Sequence, residues 1–327
     1  MKKIIVFYML LISSVGSVDA SVEKNLRPLE FFRHQLIDVV APASGCDLKF
    51  IKKLQETPGF NLRLSARCIQ GPTTMFHAAS DEIRFECLKD AITNDSSNII
   101  WSLKGGYGSA KIIPKLSLLP KPDKEKFFIG YSDITALHLF MTQNWGWKTI
   151  HGPILGEFLS EKKSKENFIK IANIVSGKVD KSTIEGIIPI NSPAADNRSI
   201  KGTITGGNLT IIQNSIGTNW QIVTNNKILF LEDINIQPYQ LDRALLHLKQ
   251  AQLLNDVKAI IFGEFYNCKL EVDIDKVIED FANNIQIPVY RSMKFGHGII
   301  NEPIIYNATS EIIRNSKNNY QLVTKLK

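Results

Sequence analysis

Three short segments of the chain carry residue types that together could perform acyl transfer. The first is Phe128-Ile129-Gly130-Tyr131-Ser132-Asp133-Ile134, an apolar strand pattern that ends in a serine opening a helix. Such a turn projects the Ser132 hydroxyl from the sheet and places the N–H of Asp133 at the positive end of a helix, where it can stabilise an oxyanion. Taken alone, Ser132 is better explained as the N-cap of that helix.

The second segment is the glycine-rich turn Gly105-Gly106-Tyr107-Gly108, which follows a predicted strand of its own. Glycines allow backbone amides to approach a ligand closely, so this turn could supply another donor to an oxyanion. It has neither the phosphate-loop spacing nor the dinucleotide-binding spacing G-x-G-x-x-G. A tight turn without a ligand explains the segment equally well.

The third segment pairs an acidic strand end with a distant histidine. Glu232 and Asp233 end the apolar run 228–231, and His297 lies between Gly296 and Gly298. A carboxylate at a strand end can orient an imidazole, although His297 alone is better explained as a loop histidine. The order Ser132, Glu232, His297 supplies a nucleophile, an orienting carboxylate and a base, and this joint occurrence favours acyl transfer.

The other histidines and the cysteines do not indicate a metal or redox centre. His34, His77, His138, His151 and His247 show no metal-ligand spacing, so we expect a reaction without metal or cofactor. The cysteines form no C-x-x-C pair; they are Cys46, Cys68, Cys87 and Cys268. Cys46 and Cys68 each follow an apparent strand and could pair, but buried free thiols are slightly favoured.

Alternating strands and helices must position these residues. The pattern predicts strands at 36–40, 62–66, 98–103 and 127–130, with helices at 48–55, 81–92, 134–141 and 161–170. This order is typical of a parallel sheet covered on both faces, with its sites at the carboxyl ends of the strands. Residues 181–200 lose periodicity and are predicted to be a linker.

The second half predicts a smaller mixed α/β domain. Its expected strands are 228–231, 259–262 and 304–306, and its expected helices are 209–215, 239–254 and 272–283. A length of 327 residues also favours two domains. The predicted organisation is an N-terminal domain at 21–180 and a C-terminal domain at 201–327.

The first twenty residues predict export. Lys2-Lys3 precedes an apolar run at 4–12, and Val18-Asp19-Ala20 supplies a small residue for cleavage near Ala20, which is the plan of a secretory signal peptide. The residue directly after Ala20 is not a cysteine, so a lipid anchor is not indicated. We therefore expect a soluble periplasmic protein without a stable membrane anchor, and the sequence allows a homodimer.

The net charge suits an acidic partner. Lys and Arg number 39 against 32 Asp and Glu, which gives +7 and a pI near 9.1. The charges are spread out with no run of five like charges, so nucleic acid is not singled out as the partner.

The chain resembles the LD-carboxypeptidases, or muramoyl-tetrapeptide carboxypeptidases, a family of serine peptidases with a Ser-Glu-His triad. The resemblance covers about residues 36 to 309 and rests on segments in family order. These segments are Val40-Ala41-Pro42-Ala43-Ser44, Lys104-Gly105-Gly106-Tyr107-Gly108, Gly130-Tyr131-Ser132-Asp133-Ile134-Thr135-Ala136-Leu137, His151-Gly152-Pro153, Gly206-Gly207-Asn208-Leu209, Leu231-Glu232-Asp233, Asp242-Arg243 and Gly296-His297.

The resemblance implies a flavodoxin-like N-terminal domain, a smaller C-terminal domain and an active site in the cleft between them. Ser132 would be the nucleophile, His297 the general base and Glu232 its orienting carboxylate, while the backbone amides of Gly106 and Asp133 would form the oxyanion hole. The implied substrates are peptidoglycan tetrapeptide stems, cleaved between meso-diaminopimelate (or Lys) and the terminal D-Ala.

Alternatives remain open at this stage. Relatives often carry a Pro-x-Gly turn after the histidine where this chain has Pro303-Ile304-Ile305-Tyr306, so endopeptidase action on longer stems is a further hypothesis. Related proteins hydrolyse acyl-sulfamoyl or aminoacyl nucleotide antibiotics. A non-catalytic, two-lobed periplasmic peptide-binding protein would also suit two α/β lobes and a signal peptide. An α/β-hydrolase is disfavoured because its G-x-S-x-G turn needs glycine where Ile134 stands.

Overall fold

The computed structural model describes residues 29–57, 59–69, 76–159, 163–268, 271–316 and 319–326. The predicted signal peptide lies outside the described residues. Among the helices that the structure describes, none is long and apolar enough to cross a membrane.

The described chain alternates strands and helices through both halves. The strands are β1 (Leu36–Val40), β2 (Asn61–Arg63), β3 (Ile99–Ser102), β4 (Phe127–Gly130), β5 (Ile150–His151), β6 (Lys181–Pro189), β7 (Ser199–Asn208), β8 (Lys227–Ile234), β9 (Ala259–Tyr266), β10 (Val289–Arg291), β11 (Ile304–Ile305), β12 (Thr309–Arg314) and β13 (Tyr320–Lys325). The helices are α1 (Glu30–Arg33), α2 (Leu48–Gln55), α3 (Asp81–Thr93), α4 (Ser109–Leu116), α5 (Thr135–Phe140), α6 (Lys165–Val175), α7 (Ser192–Asp196), α8 (Leu209–Ser215), α9 (Pro238–Gln250) and α10 (Glu271–Asn283).

The N-terminal sheet has the strand order β11-β5-β4-β3-β1-β2. All its neighbours pair in parallel except β11, which runs antiparallel to β5. The central strands are buried on both faces: Ile100 and Phe128 pack on one side, and Trp101 and Ile129 pack on the other. This burial explains their unbroken apolar sequences and confirms the predicted covered parallel sheet.

The C-terminal strands close into a barrel with the order β10-β6-β13-β12-β7-β8-β9. Strands β7 to β10 run parallel to one another, and the other neighbours are antiparallel. The predicted mixed α/β character of this half is therefore confirmed, and closure leaves no open sheet edge.

The predicted linker at 181–200 is wrong, because these residues form β6, α7 and the start of β7. Pro189 ends the strand, and Pro193 lies in the first turn of α7, where a missing N–H costs nothing. Half of β6 faces solvent, so its apolar residues are too sparse to resemble the buried strands of the first half.

The two halves are joined by backbone pairing as well as by side chains. Strand β11 leaves the C-terminal half and adds to the edge of the N-terminal sheet, with Ile305 opposite Ile150. The Asn208 N–H donates to Thr135 Oγ1 at 3.1 Å, and the Tyr306 hydroxyl donates to the Gly206 carbonyl at 2.9 Å. The helix that follows Ser132 is therefore bonded directly to the barrel.

The cysteine pairing differs from both sequence-based expectations. Cys68 and Cys87 form a disulfide, while Cys46 and Cys268 are free thiols. Cys68 lies in a short helical turn after β2, and α3 packs beside that turn and carries Cys87 on its buried face. The pairing thus depends on where a helix packs, which the positions of strand ends do not reveal.

Removing this disulfide should destabilise the N-terminal domain. A bridge that spans 19 residues contributes about 3 kcal/mol by restricting the unfolded chain. We expect Cys68→Ala/Cys87→Ala to lower the urea midpoint of the first unfolding transition, measured by circular dichroism. Wild-type protein in reductant should behave like the variant, and Cys46→Ala should match the wild type. A wild-type midpoint that reductant leaves unchanged would contradict this role.

Candidate active site

Ser132 occupies a strained position at the carboxyl end of β4. Its φ is 63°, in the left-handed region that a non-glycine residue rarely adopts. The backbone around it is held by the Gly130 carbonyl, which accepts from the Gly152 N–H at 3.1 Å and lies 2.9 Å from His138 Nε2. The N-cap of α5 is Ile134, without a side-chain cap, so the N-cap interpretation of Ser132 is wrong.

The glycine-rich turn packs against this serine. A Cβ added to Gly105 would lie 3.2 Å from Ser132 Oγ, so a larger residue would press against the serine. Gly106 has a φ of 104°, and a side chain there would collide with Ser44. The Ser44 hydroxyl donates to the Phe76 carbonyl at 2.7 Å. The turn is therefore shaped to present backbone rather than side chains beside Ser132.

Asp133 fixes the position of the same turn through its side chain. The buried carboxylate accepts a hydrogen bond of 2.8 Å from the Ser109 N–H at the start of α4. Burial raises the pKa of Asp133, and the hydrogen bonds from Ser109 oppose that shift. Asp133 thus connects the turn that contains Ser132 to α4, the helix that follows the glycine-rich turn.

Arg84 is a positioning residue that the sequence reasoning missed. It is 1% exposed, and its guanidinium donates to the carbonyls of Pro42, Ala79 and Gly108, the last at 2.9 Å. These carbonyls belong to loops near the carboxyl ends of β1 and β3. One sequence signal was present: Arg84 shares the buried stripe of α3 with Leu88.

Glu232 and His297 form a buried, hydrogen-bonded pair. Glu232 Oε2 lies 2.6 Å from His297 Nδ1, and the two side chains are 0% and 9% exposed. Burial lowers the pKa of His297, but the charge of Glu232 and its hydrogen bond outweigh that effect, so the pKa lies above its ordinary value. Burial likewise raises the pKa of Glu232, and His297 brings it below its ordinary value.

Asp233 serves a different purpose from its neighbour Glu232. Its carboxylate accepts hydrogen bonds from the Asn208 side chain at 2.9 Å and from the N–H and hydroxyl of Thr210 at 2.9 and 2.8 Å. Because successive side chains on a strand point to opposite sides, only Glu232 faces the histidine. Asp233 secures the start of α8.

Tyr131 connects His297 to the segment that carries Ser132. Its ring centroid lies 4.8 Å from that of His297, and it directly precedes Ser132. Its hydroxyl donates to Glu157 at 2.7 Å. Burial and the charge of Glu157 raise the pKa of Tyr131 well above its ordinary value, so the hydroxyl remains a donor. The structure thus places the Glu232–His297 pair of the C-terminal half against the residue that precedes Ser132.

Two further histidines lie beneath the site as neutral, buried side chains. Burial lowers the pKa of His151 to about 4 and that of His138 to about 3. The His151 ring packs between those of Tyr131 and Phe230. Both imidazoles are neutral near neutral pH and, with such low pKa values, bind a further proton only weakly, so His297 is the histidine better suited to act as a base here.

Comparison with known proteins assigns the family. Residues 37–152 match the model of the LD-carboxypeptidase N-terminal domain, and residues 201–312 match that of the C-terminal domain. A Rickettsia conorii protein that is named a candidate carboxypeptidase is 54% identical over 284 residues, covering 86% of this chain and 89% of its own length. The chain belongs to the LD-carboxypeptidase family.

More distant similarities extend this result. The murein tetrapeptide carboxypeptidase of Pseudomonas aeruginosa is 29% identical over 245 residues, which cover 71% of this chain and 78% of that protein. The crystal structure of muramoyltetrapeptide carboxypeptidase from Oxalobacter formigenes superposes with a TM-score of 0.76 at 23% identity, over 89% of this chain and 99% of that one. The two-domain α/β fold therefore matches the fold of that muramoyltetrapeptide carboxypeptidase.

Replacing Glu232 by glutamine should lower the pKa of His297. The carboxylate is what raises that pKa, and without its charge the effect of burial would dominate. NMR titration of the His297 ring would measure the change without any substrate. Glu185→Gln, at an exposed position on β6, is the matched control and should leave the titration unaltered. An unchanged His297 pKa in Glu232→Gln would show that the pair does not form.

Proposed function

We propose that this protein is a serine-type LD-carboxypeptidase that removes the terminal D-Ala from peptidoglycan tetrapeptide stems. The observation that carries the proposal is the buried Glu232–His297 pair, which packs against Tyr131 beside the strained Ser132. This arrangement has the nucleophile, base and orienting carboxylate of a serine hydrolase. Membership of the LD-carboxypeptidase family supports the choice of substrate.

The catalytic steps follow from these positions. Because Nδ1 of His297 bonds the Glu232 carboxylate, its Nε2 is left to accept the Ser132 proton. Ser132 then attacks the carbonyl before D-Ala, and the amides of Gly106 and Asp133 stabilise the oxyanion. The imidazolium protonates the departing amine, and water hydrolyses the acyl-enzyme by the same base.

Release of D-Ala tests the reaction directly. Purified protein incubated with disaccharide tetrapeptide should produce the tripeptide, detected by mass as the loss of one alanine. Ser132→Ala should reduce kcat by about 10⁴-fold or more, because the nucleophile is lost. Ser96→Ala, at an exposed serine, should retain wild-type activity. Because the triad needs no metal, EDTA should have no effect.

Other substrates supplied in parallel separate the alternatives. Folded protein that releases no D-Ala from tetra- or pentapeptide stems would sink the carboxypeptidase proposal. Hydrolysis of an acyl-sulfamoyl nucleotide alone would favour the antibiotic-degrading alternative, and peptide binding without turnover would favour a binding protein. Cleavage of cross-linked stems would add endopeptidase action.

We also propose that the protein is exported to the periplasm. Residues 1–20 have the composition of a signal peptide, and the Cys68–Cys87 disulfide suits an oxidising compartment. Residues 1–25 fused to a reporter that is active only after export should activate it. Replacing Leu10 and Leu11 by arginine should abolish that signal, because the apolar run is broken. An inactive fusion with the native segment would refute export.

A further inference from the structure

Lys163 is a buried lysine that the triad does not account for. Its side chain is 5% exposed, and it lies just before α6, in the segment of the N-terminal half that faces the barrel. The Nζ atom donates to the carbonyl of Gly296 at 3.0 Å and to the carbonyl of Gly298. These two residues flank His297, so one ammonium group holds both sides of the histidine.

The same ammonium also contacts the nucleophile side of the site. Lys163 Nζ lies 4.9 Å from the centroid of the Tyr131 ring, a cation–π contact with the residue that precedes Ser132. Backbone bonding continues the junction, since the Ser164 N–H donates to the Ile299 carbonyl at 2.9 Å. Lys163 therefore contacts both the loop that contains His297 (residues 296–298, the histidine loop) and Tyr131, the residue before Ser132.

The Gly296 N–H donates to the Asn301 side chain at 3.2 Å, whereas the carbonyls of Gly296 and Gly298 on either side of His297 are bound by Lys163. A Cβ added to Gly298 would collide with the Glu264 carboxylate, so a larger residue there would have to displace that side chain. The Gly298 backbone N–H donates to the Glu264 carboxylate, and the Gly298 carbonyl accepts from Lys163. Burial lowers the pKa of Lys163, and the charges of Glu157, Glu232 and Glu264 oppose that effect.

We propose that Lys163 is a positioning residue for the base: by binding the carbonyls of Gly296 and Gly298, it holds the His297 imidazole against Tyr131 at a fixed distance from Ser132. The inference rests on the proposed function, because it assigns Lys163 a part in the same reaction. Misplacement of a catalytic group by about 1 Å can cost about 10²-fold in rate, which sets the size of the expected effect.

Lys163 also contributes to the electrostatics around His297. The charged or titratable groups that face His297 from neighbouring elements are Tyr131, His151, Glu157, Lys163, Glu232, Asp233 and Glu264. The positive charge of Lys163 disfavours the imidazolium and so opposes the carboxylates. Removing that charge should raise the pKa of His297 and shift the acidic limb of the pH–rate profile to higher pH.

The test compares Lys163→Met with Lys165→Met in the full protein. Lys165 is an exposed lysine two residues away and serves as the matched control. For D-Ala release we expect Lys163→Met to lower kcat by about 10²-fold with KM changed by less than about threefold, and to move the acidic limb upward. The control should retain the wild-type profile. A wild-type kcat and acidic limb in Lys163→Met would overturn the proposal.

Two additional measurements keep the test decisive. If Lys163→Met does not fold, Lys163→Gln replaces it: its shorter, neutral amide should not hold both carbonyls, so kcat should fall at least about tenfold and the acidic limb should again move upward. A wild-type kcat in that variant would overturn the proposal. NMR titration of His297 needs no substrate, so it would still show the raised pKa in Lys163→Met if the wild type proved inactive on stem peptides. An inactive wild type would refute the proposed function alone.

Discussion

The whole site depends on the contact between Glu232 and His297. A carboxylate with no exposed surface is costly to bury unless a partner holds its charge, and here that partner is a histidine 65 residues further along the chain. Glu232 lies on β8, between two parallel strands of the barrel, so its position is set when the barrel closes. The histidine loop must then fold back over this strand. Barrel closure and base placement are therefore coupled.

Ser132 and the Glu232–His297 pair lie in different halves of the chain, so their relative position depends on how the two halves are joined. Strand β11 pairs with β5 directly after the histidine loop, which ties the chain that carries His297 to the sheet that carries Ser132. Helix α5 begins just after Ser132 and packs against α8 and β7. Its Thr135 hydroxyl accepts a hydrogen bond from the backbone of the barrel. The geometry of the proposed triad thus depends on the interface, and a shift between the two halves would move His297 away from the segment that carries Ser132.

The sequence predicted the parts of this structure that are buried on both sides. Central parallel strands appear as unbroken apolar runs, and Ser132 follows such a strand in the sheet while Glu232 lies towards the end of one in the barrel. It did not reveal β6, β12 and β13, which are half exposed and pair antiparallel, so residues 181–200 resembled a linker. The disulfide and the contacts of Arg84 and Lys163 depend on packing between distant elements, which local patterns do not contain.

The two buried cations, Arg84 and Lys163, both bind backbone carbonyls of glycine-containing turns in the site. Glycine-rich turns let backbone come close to Ser132 and Glu264, but such turns lack side chains that could fix them. Arg84 binds the Gly108 carbonyl at the end of one turn, and Lys163 binds carbonyls on both sides of His297 in the other. Each cation is itself stabilised by the carbonyls that it binds, which offsets the cost of burying its charge. Under the proposed mechanism, these two long cationic side chains would therefore contribute to preorganisation of the site by holding glycine backbone in place.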